Sequence, residues 1–370
     1  MGSERGHRSF FGRLIVFLLT LLAVVGLMAM VLSVASSYVD PAQFVWLSYF
    51  GLAFWAILLF NLIIFGLLLL MWSRKAWVAV LAILVSIPGV YRSFSFGKAQ
   101  EGGDIRLMTY NVHRFTYLKD KTNTEMAEDM VAMVNEYHPD VLCLQEFTVF
   151  KPKTNRKDCI AQFGEMVGMP FQYYNSKANF GGNVIFSKYP LSAVEDENDY
   201  GKENRYGTVA LVDAGEKGRF VVFCCHLTSF QITDQEINVF TDKENSKEDV
   251  KSSGKSIISK LKIAYQKRSE EVSKMLEDVP HDGRAIVLCG DFNDTPLSYT
   301  YHQIRRAGFT DGFVKTGRGI GHTYAGKLPL LRIDYVWGND RIQPMLFKRI
   351  KIKGSDHYPV LMDFNVNHEF

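Results

Sequence analysis

GSDHYPVLMDF, residues 354–364, sets an acid and an imidazole, Asp356 and His357, side by side where an apolar strand begins. Taken alone, the pair reads as an ordinary strand start. Working back along the chain, other strand-like runs carry polar residues at the same place. Asn111 closes "LMTYN", Glu146 closes "LCLQE", His226 closes "VVFCCH", and Asp291 and Asn293 fall in "LCGDFN". Asp334 lies inside "RIDYV". Each of these singly is a turn residue or a satisfied hydrogen-bonding group. At equivalent ends of several strands, they converge on one crevice that a rigid scaffold positions.

The strands themselves are read from β-branched and aromatic runs bounded by turn residues. They are "IRLMTYN", "DVLCLQE", "NVIFSKY", "GTVALVD", "RFVVFCCHL", "AIVLCGDFN", "RIDYVWG" and "YPVLMDFNV". Two helices stand between them. One opens on a Thr122/Glu125 capping box, places Met126, Met130 and Val134 at helical spacing and stops before Pro139. The other runs from about Ser256 to Asp278, and the polar stretch before it, residues 231–255, reads as a surface loop. The chain has no internal repeat.

The residue types define a chemistry. Carboxylate oxygens from Glu146 and the aspartates suit a hard cation, Mg²⁺ or Mn²⁺, rather than zinc. Asn111 and Asn293 can bond phosphoryl oxygens without repelling them, and His226 and His357 can carry positive charge beside a developing phosphorane. Metal, carboxylate base and cationic donors together make a site for phosphoester hydrolysis.

In that order, "TYN", "LQE", "CHL", "GDFN", "IDYV" and "SDHYP" resemble the motifs of the endonuclease/exonuclease/phosphatase superfamily, over residues 104–366. The resemblance implies an α/β (α+β) fold, a four-layer α/β–β/α sandwich with two packed, mainly antiparallel sheets. It implies Glu146 as main metal ligand with Asn111 beside it, and Asp356 binding the metal directly or through water. Asp291 would orient or deprotonate the attacking water, and Asn293 would contact phosphoryl oxygens. His357, its ring held by Asp334, would stabilise the pentacovalent state or protonate the leaving group, with His226 a second phosphate donor. Family members often place substrate contacts just before the "IDYV" motif, here at His322 and Tyr324 in "GHTYAGK". Arg205 in "NRYGTVAL" is a further candidate for a phosphate, or the partner in a surface ion pair.

The first part of the chain has another character. Residues 14–92 are almost free of charge and hold three apolar runs, at about 14–36, 44–72 and 76–92. A helical span needs about 20 apolar residues. A cleaved signal peptide fits the first run poorly, since more apolar runs follow and no small-residue cleavage site does. The expected division is a three-span membrane segment (1–92), a linker (93–103) and a catalytic domain (104–370). Arg5, Arg8 and Arg13 precede the first run, Arg74 and Lys75 separate the second from the third, and "SSYVDPAQ" between the first two has no basic residue. Basic flanks face the cytoplasm, which puts the catalytic domain outside it. If the third run lies along the surface instead, as Arg92 and Lys98 allow, the domain faces the cytoplasm.

Residues 1–103 take seven of the 42 Lys and Arg and three of the 39 Asp and Glu, leaving 35 against 36 for the remainder. The soluble part therefore lacks the basic excess that marks tight, salt-sensitive nucleic-acid binding. The five cysteines have no regular spacing and four sit in apolar runs, which reads as buried free thiols. The expected partners are the lipid bilayer and a phosphoester, either a lipid headgroup or a nucleic acid, with no protein partner indicated.

Overall fold

The computed structural model describes residues 9–100, 102–175, 182–194, 206–240, 246–326 and 330–367. They form two compact units, Met1–Arg92 with Leu297–His302, and Ser93–Pro296 with Gln303–Phe370.

The first unit is helical. Ser9 caps the helix Phe10–Ala35 by accepting from the Gly12 amide, and Pro41 opens the short helix Pro41–Phe44 behind its Asp40 cap. Trp46–Leu52 and Phe54–Leu70 follow, then Trp77–Ser93, which runs unbroken through Pro88. Two stretches, Phe10–Ala35 and Arg74–Ser93, are long and apolar enough to cross a membrane. Trp46–Leu52 and Phe54–Leu70 qualify only together, bent by 65° at their junction. Asn61, fully buried, donates to the Gly26 carbonyl at 3.1 Å. A Cβ at Gly26 would meet the Asn61 side chain at 2.5 Å, so a small residue is what lets these helices approach.

The second unit is a sandwich. Its strands are β1 (Phe94–Phe96), β2 (Ile105–Asn111), β3 (Val141–Phe147), β4 (Phe171–Tyr174), β5 (Gly182–Ser187), β6 (Leu191–Ser192) and β7 (Gly207–Asp213). They continue with β8 (Arg219–His226), β9 (Ala285–Asp291), β10 (Thr310–Asp311), β11 (Arg318–Ile320), β12 (Asp334–Gly338), β13 (Ile342–Arg349) and β14 (Val360–Val366). One sheet has the order β13-β14-β2-β3-β5-β4 and the other β10-β12-β9-β8-β7-β6, while β1 pairs with β11 apart from both. Each sheet has one parallel pair at its centre, β2 with β3 and β8 with β9, and its other pairs are antiparallel.

Side chains alternate between the faces of a strand, and here both faces are buried. Ile105, Leu107, Val141 and Cys143 of the first sheet meet Val222, Cys224, Val287 and Cys289 of the second in one core. From the other face of the first sheet, Met108, Leu142 and Leu144 pack on Met126, Met130 and Val134 of the helix Asn123–Tyr137 and on Phe163 of the helix Arg156–Met166. Behind the second sheet lies the helix Lys247–Glu277, where Cys225 Sγ comes within 3.6 Å of Met275 Sδ. Helix, sheet, sheet and helix are the four layers. The five cysteines are free and buried.

Two expectations need correction. The second helix starts at Lys247, not about Ser256, because Ser246 and Asp249 form a capping box inside the stretch read as loop, and Asp234–Asn238 is a further short helix there. The edge strand β13 escaped the strand reading because Pro344 interrupts it, at a shift of register before Leu346.

Candidate active site

Alternation explains how the site assembles. Asn111 lies on the same row of β2 as Ile105 and Leu107, and Asp291 on the same row of β9 as Val287 and Cys289. Both rows face the opposite sheet, so at the strand ends the two side chains meet, Asn111 Nδ2 donating to Asp291 Oδ2 at 3.0 Å. His226 stands opposite Asp291 in the β8–β9 register and Asp334 opposite it in the β12–β9 register. One position earlier, Gly290 (φ +130°) brings the chain so close to β8 that a Cβ would sit 2.0 Å from the Cys225 carbonyl oxygen.

Glu146 breaks the rule. It neighbours Gln145, which points into the inter-sheet core to bond Thr109 at 3.0 Å and Cys224 at 3.2 Å, so simple alternation would turn Glu146 toward the helices. A shift of register between Leu144 and Phe147, with Glu146 at φ +56°, turns it instead toward the crevice. There its Oε1 lies 3.7 Å from His226 Nε2.

Around Asp291 the groups are sealed. Asn293, itself at φ +51°, donates its backbone amide to Asp291 Oδ1 at 2.9 Å and its side-chain amide to Oδ2 at 3.1 Å. Asp334 takes both its oxygens to within 3.1 Å of His357 Nδ1, and its own amide donates to Thr323 Oγ1. His357 Nε2 is 3.6 Å from Asp291 Oδ2. Burial opposes the charge on His357, yet the carboxylates of Asp334 and Asp291 overcome it and push the imidazole up to about 10. Burial, reinforced by Asp334, raises the Asp291 carboxyl above its usual range. Asp291, Asp334 and His357 bring ligand atoms within 4.8 Å of one another. The two carboxylates on either side of the His357 ring suit the holding of a proton there.

The other two carboxylates are open. Asp356 and Glu146 line the cavity, and each has a basic side chain against it, His113 Nδ1 at 2.8 Å from Asp356 and Arg114 Nε at 3.3 Å from Glu146. Burial is the largest single influence on the Asp356 carboxylate and works against it, but the His113 hydrogen bond together with the nearby His357 and His113 imidazoles holds the pKa below the usual value. His113, Arg114 and Phe115 form a single left-handed turn at φ +45°, +54° and +59°. Left-handed backbone costs about 1–2 kcal/mol per non-glycine residue, and strain of this kind gathers at functional sites. His113 and Arg114 were not singled out from the sequence. Their only signal there was position, directly after the Asn111 strand.

Asn111, His113, Arg114, Glu146, His226, Asp291, Asn293, Asp356 and His357 line one cavity of about 510 Å³, with Asp334 behind His357, and Tyr324 lines it too, its ring 5.6 Å from that of His357. His226 Nε2 faces two carboxylates, is buried and makes no hydrogen bond among the described residues. The structure thus brings together Asn111, Glu146, His226, Asp291, Asn293, Asp334, Asp356, His357 and Tyr324. His322 instead bonds Arg349 at 2.7 Å and does not line the cavity, and Arg205 lies outside the described residues.

A sandwich of two sheets that share a polar cavity at their ends is the class this molecule represents. The chain belongs to the endonuclease/exonuclease/phosphatase family, whose model matches residues 108–357. Residues 13–93 match a domain of unknown function, DUF8431. No curated protein sequence matches. Among solved structures, an endonuclease/exonuclease/phosphatase from Beutenbergia cavernae DSM 12333 superposes with a TM-score of 0.50 at 20% identity, over 72% of either chain. A family protein from Leptotrichia buccalis C-1013-b matches at 0.46 and 16% identity, over 72% of this chain and all (100%) of that one. A 3′ phosphatase from Neisseria, bound to product DNA hairpin, matches at 0.46 and 16%, over 70% and 99%. At these identities the likeness is one of fold.

Proposed function

We propose that the chain is a divalent-metal-dependent phosphoester hydrolase anchored in a membrane, with a lipid headgroup as substrate. The observation that carries the hydrolase reading is the division of one cavity between open carboxylates, Glu146 and Asp356, and the sealed Asp291–Asp334–His357 cluster. Glu146, with Asn111 and Asp356, offers hard oxygens on the cavity wall, the donor set Mg²⁺ or Mn²⁺ takes. When bound there, such an ion supplies a Lewis acid for a phosphoryl oxygen.

The residues divide the remaining work. Asp291, oriented by Asn111 and Asn293 and raised in pKa, accepts a proton from water as the water oxygen bonds to phosphorus. His357, kept protonated by Asp334, faces the charge that develops on phosphorus and gives its proton to the departing ester oxygen as the P–O bond breaks. His226 Nε2, which makes no hydrogen bond among the described residues, donates to a phosphoryl oxygen.

The membrane part of the reading rests on the apolar helices and their basic flanks. Three crossings would place residues 104–370 outside the cytoplasm. A phosphatase or fluorescent-protein reporter fused after Phe370 decides this, and a cytoplasmic signal overturns it. Near-neutral charge beyond residue 103 favours a membrane-borne ester over duplex DNA. A nuclease is the second reading, since the Phe230 and Tyr324 rings in the cavity are platforms on which bases can stack. The test is the purified full chain with Mg²⁺ on phospholipid in mixed micelles and on DNA, comparing kcat/KM. Faster cleavage of DNA gives the case to the nuclease, and full activity in excess EDTA overturns both.

A further inference from the structure

We infer that one wall of this cavity is a subsite for an alkyl or acyl chain carried by the phosphoester. The inference takes its polar floor from the hydrolase reading above and adds to it a part of the site that no catalytic step uses.

The wall is the segment directly after His226. Phe230, Ile232 and Ile237 line the cavity from this side and Leu331 from another, all of them half-buried. A loop with three large apolar residues would ordinarily fold them away from water. This one is prevented by polar pins along the helix Lys247–Glu277. Glu271 accepts from the amide and hydroxyl of Thr228 at 2.8 and 2.6 Å. Arg268, fully buried and paired with Asp294 at 3.2 Å, donates to the Thr228 carbonyl at 2.8 Å and lies 4.3 Å from the Phe230 ring centre. Further along, Lys260 donates to the Gln231 carbonyl at 2.9 Å and to Glu236 at 2.8 Å, and Ser256 to Glu236 at 2.7 Å. Pinned at four points, the segment keeps its apolar side chains on the cavity.

The chemistry of the lining selects the occupant. Arg114 is the single Lys or Arg among the described lining residues, so nothing there follows a second or third phosphate along a strand. Three of the four wall residues are aliphatic, and aliphatic walls gain by removing methylenes from water rather than by stacking. One phosphoryl group with an apolar substituent matches both halves of the cavity.

The test reads binding and needs no turnover. The full chain in nanodiscs with Mg²⁺ is titrated calorimetrically with n-alkylphosphonates from methyl to hexyl, below their micellar concentrations, against empty nanodiscs. Affinity should rise about fourfold per added methylene. Ile232→Ser with Ile237→Ser should flatten that rise, and Ile237→Leu should keep it, which separates the subsite from a folding defect. Affinity independent of chain length, a slope unchanged in the double serine variant, or no binding of any member overturns the inference. Hydrolysis of bis(p-nitrophenyl) phosphate is scored separately. Turnover with a flat series removes this subsite alone, and a rising series without turnover keeps the subsite and removes the hydrolase.

Discussion

In the first sheet the run β14-β2-β3-β5 ends in Asn111 and Glu146, with Asp356 and His357 at the entry to β14, while in the second β12-β9-β8-β7 ends in Asp334, Asp291 and His226. Both runs have a parallel pair between antiparallel flanks, yet their carboxylates live differently. Those of Glu146 and Asp356 are 19% and 18% exposed, against 1% and 2% for Asp291 and Asp334. The open pair is faced by Arg114 and His113 from the turn that follows β2, the sealed pair by amides and by an imidazole held from two sides. The same framework thus separates acids that can exchange partners with solvent and cations from acids that fix a proton.

The largest effects should come from removing one member of either set. Glu146→Gln and His357→Ala should each lower kcat/KM by about 10²–10³ or more. Only His357→Ala should also weaken the fold, by roughly 3–5 kcal/mol, because it leaves buried acids facing each other without a counter-charge. Thermal melts separate the two, and an equal loss in Glu146→Gln would erase the distinction between open and sealed.

A smaller effect is the pH dependence of the sealed cluster. His357 binds its proton more tightly in the fold (about 10) than its ordinary 6.5, so its contribution to stability is complete below pH 6.5. It declines as pH climbs toward 10, by at most about 1.4 kcal/mol per unit. Melts from pH 6.5 to 10 should show that decline in the parent and in Glu146→Gln and lose it in His357→Gln. A decline that persists in His357→Gln assigns the dependence elsewhere.

Smallest is the rim. Arg114 has a side chain 65% exposed, and pairs of that kind contribute about 0.2–1 kcal/mol. Arg114→Ala should therefore melt within about 1 kcal/mol of the parent, and a larger loss would make the pair part of the structure.

How much of this could be read in advance follows the same division. Asn111 and Asp291 were legible because two-residue alternation in "IRLMTYN" and "AIVLCGD" carries the core-facing row straight into them. The motif order named Glu146, but its direction came from a bulge that alternation contradicts. The turn at His113–Phe115 left little trace beyond its position, since Arg114 and Phe115 have no preference for left-handed backbone and adopt it only under tertiary constraint. Arg268 was hidden by type, a guanidinium fully buried on a helix otherwise rich in lysine and serine. The wall at Phe230, Ile232 and Ile237 was hidden by context, apolar residues without a period in a polar stretch.

The thiols between the sheets set a limit of another sort. Cys143, Cys224 and Cys289 lie in the shared core and Cys225 against the helix behind it, and burial holds Cys143 and Cys225 far up in pKa, in the unreactive protonated form. Shielding of this kind lasts only while the layers stay together. In an oxidising compartment each opening exposes thiols to cross-linking in arrangements that the closed sandwich cannot accept, and a chain so linked does not return. Ageing of the protein there is then a clock that counts openings, and its useful lifetime is a rate rather than a balance of free energies.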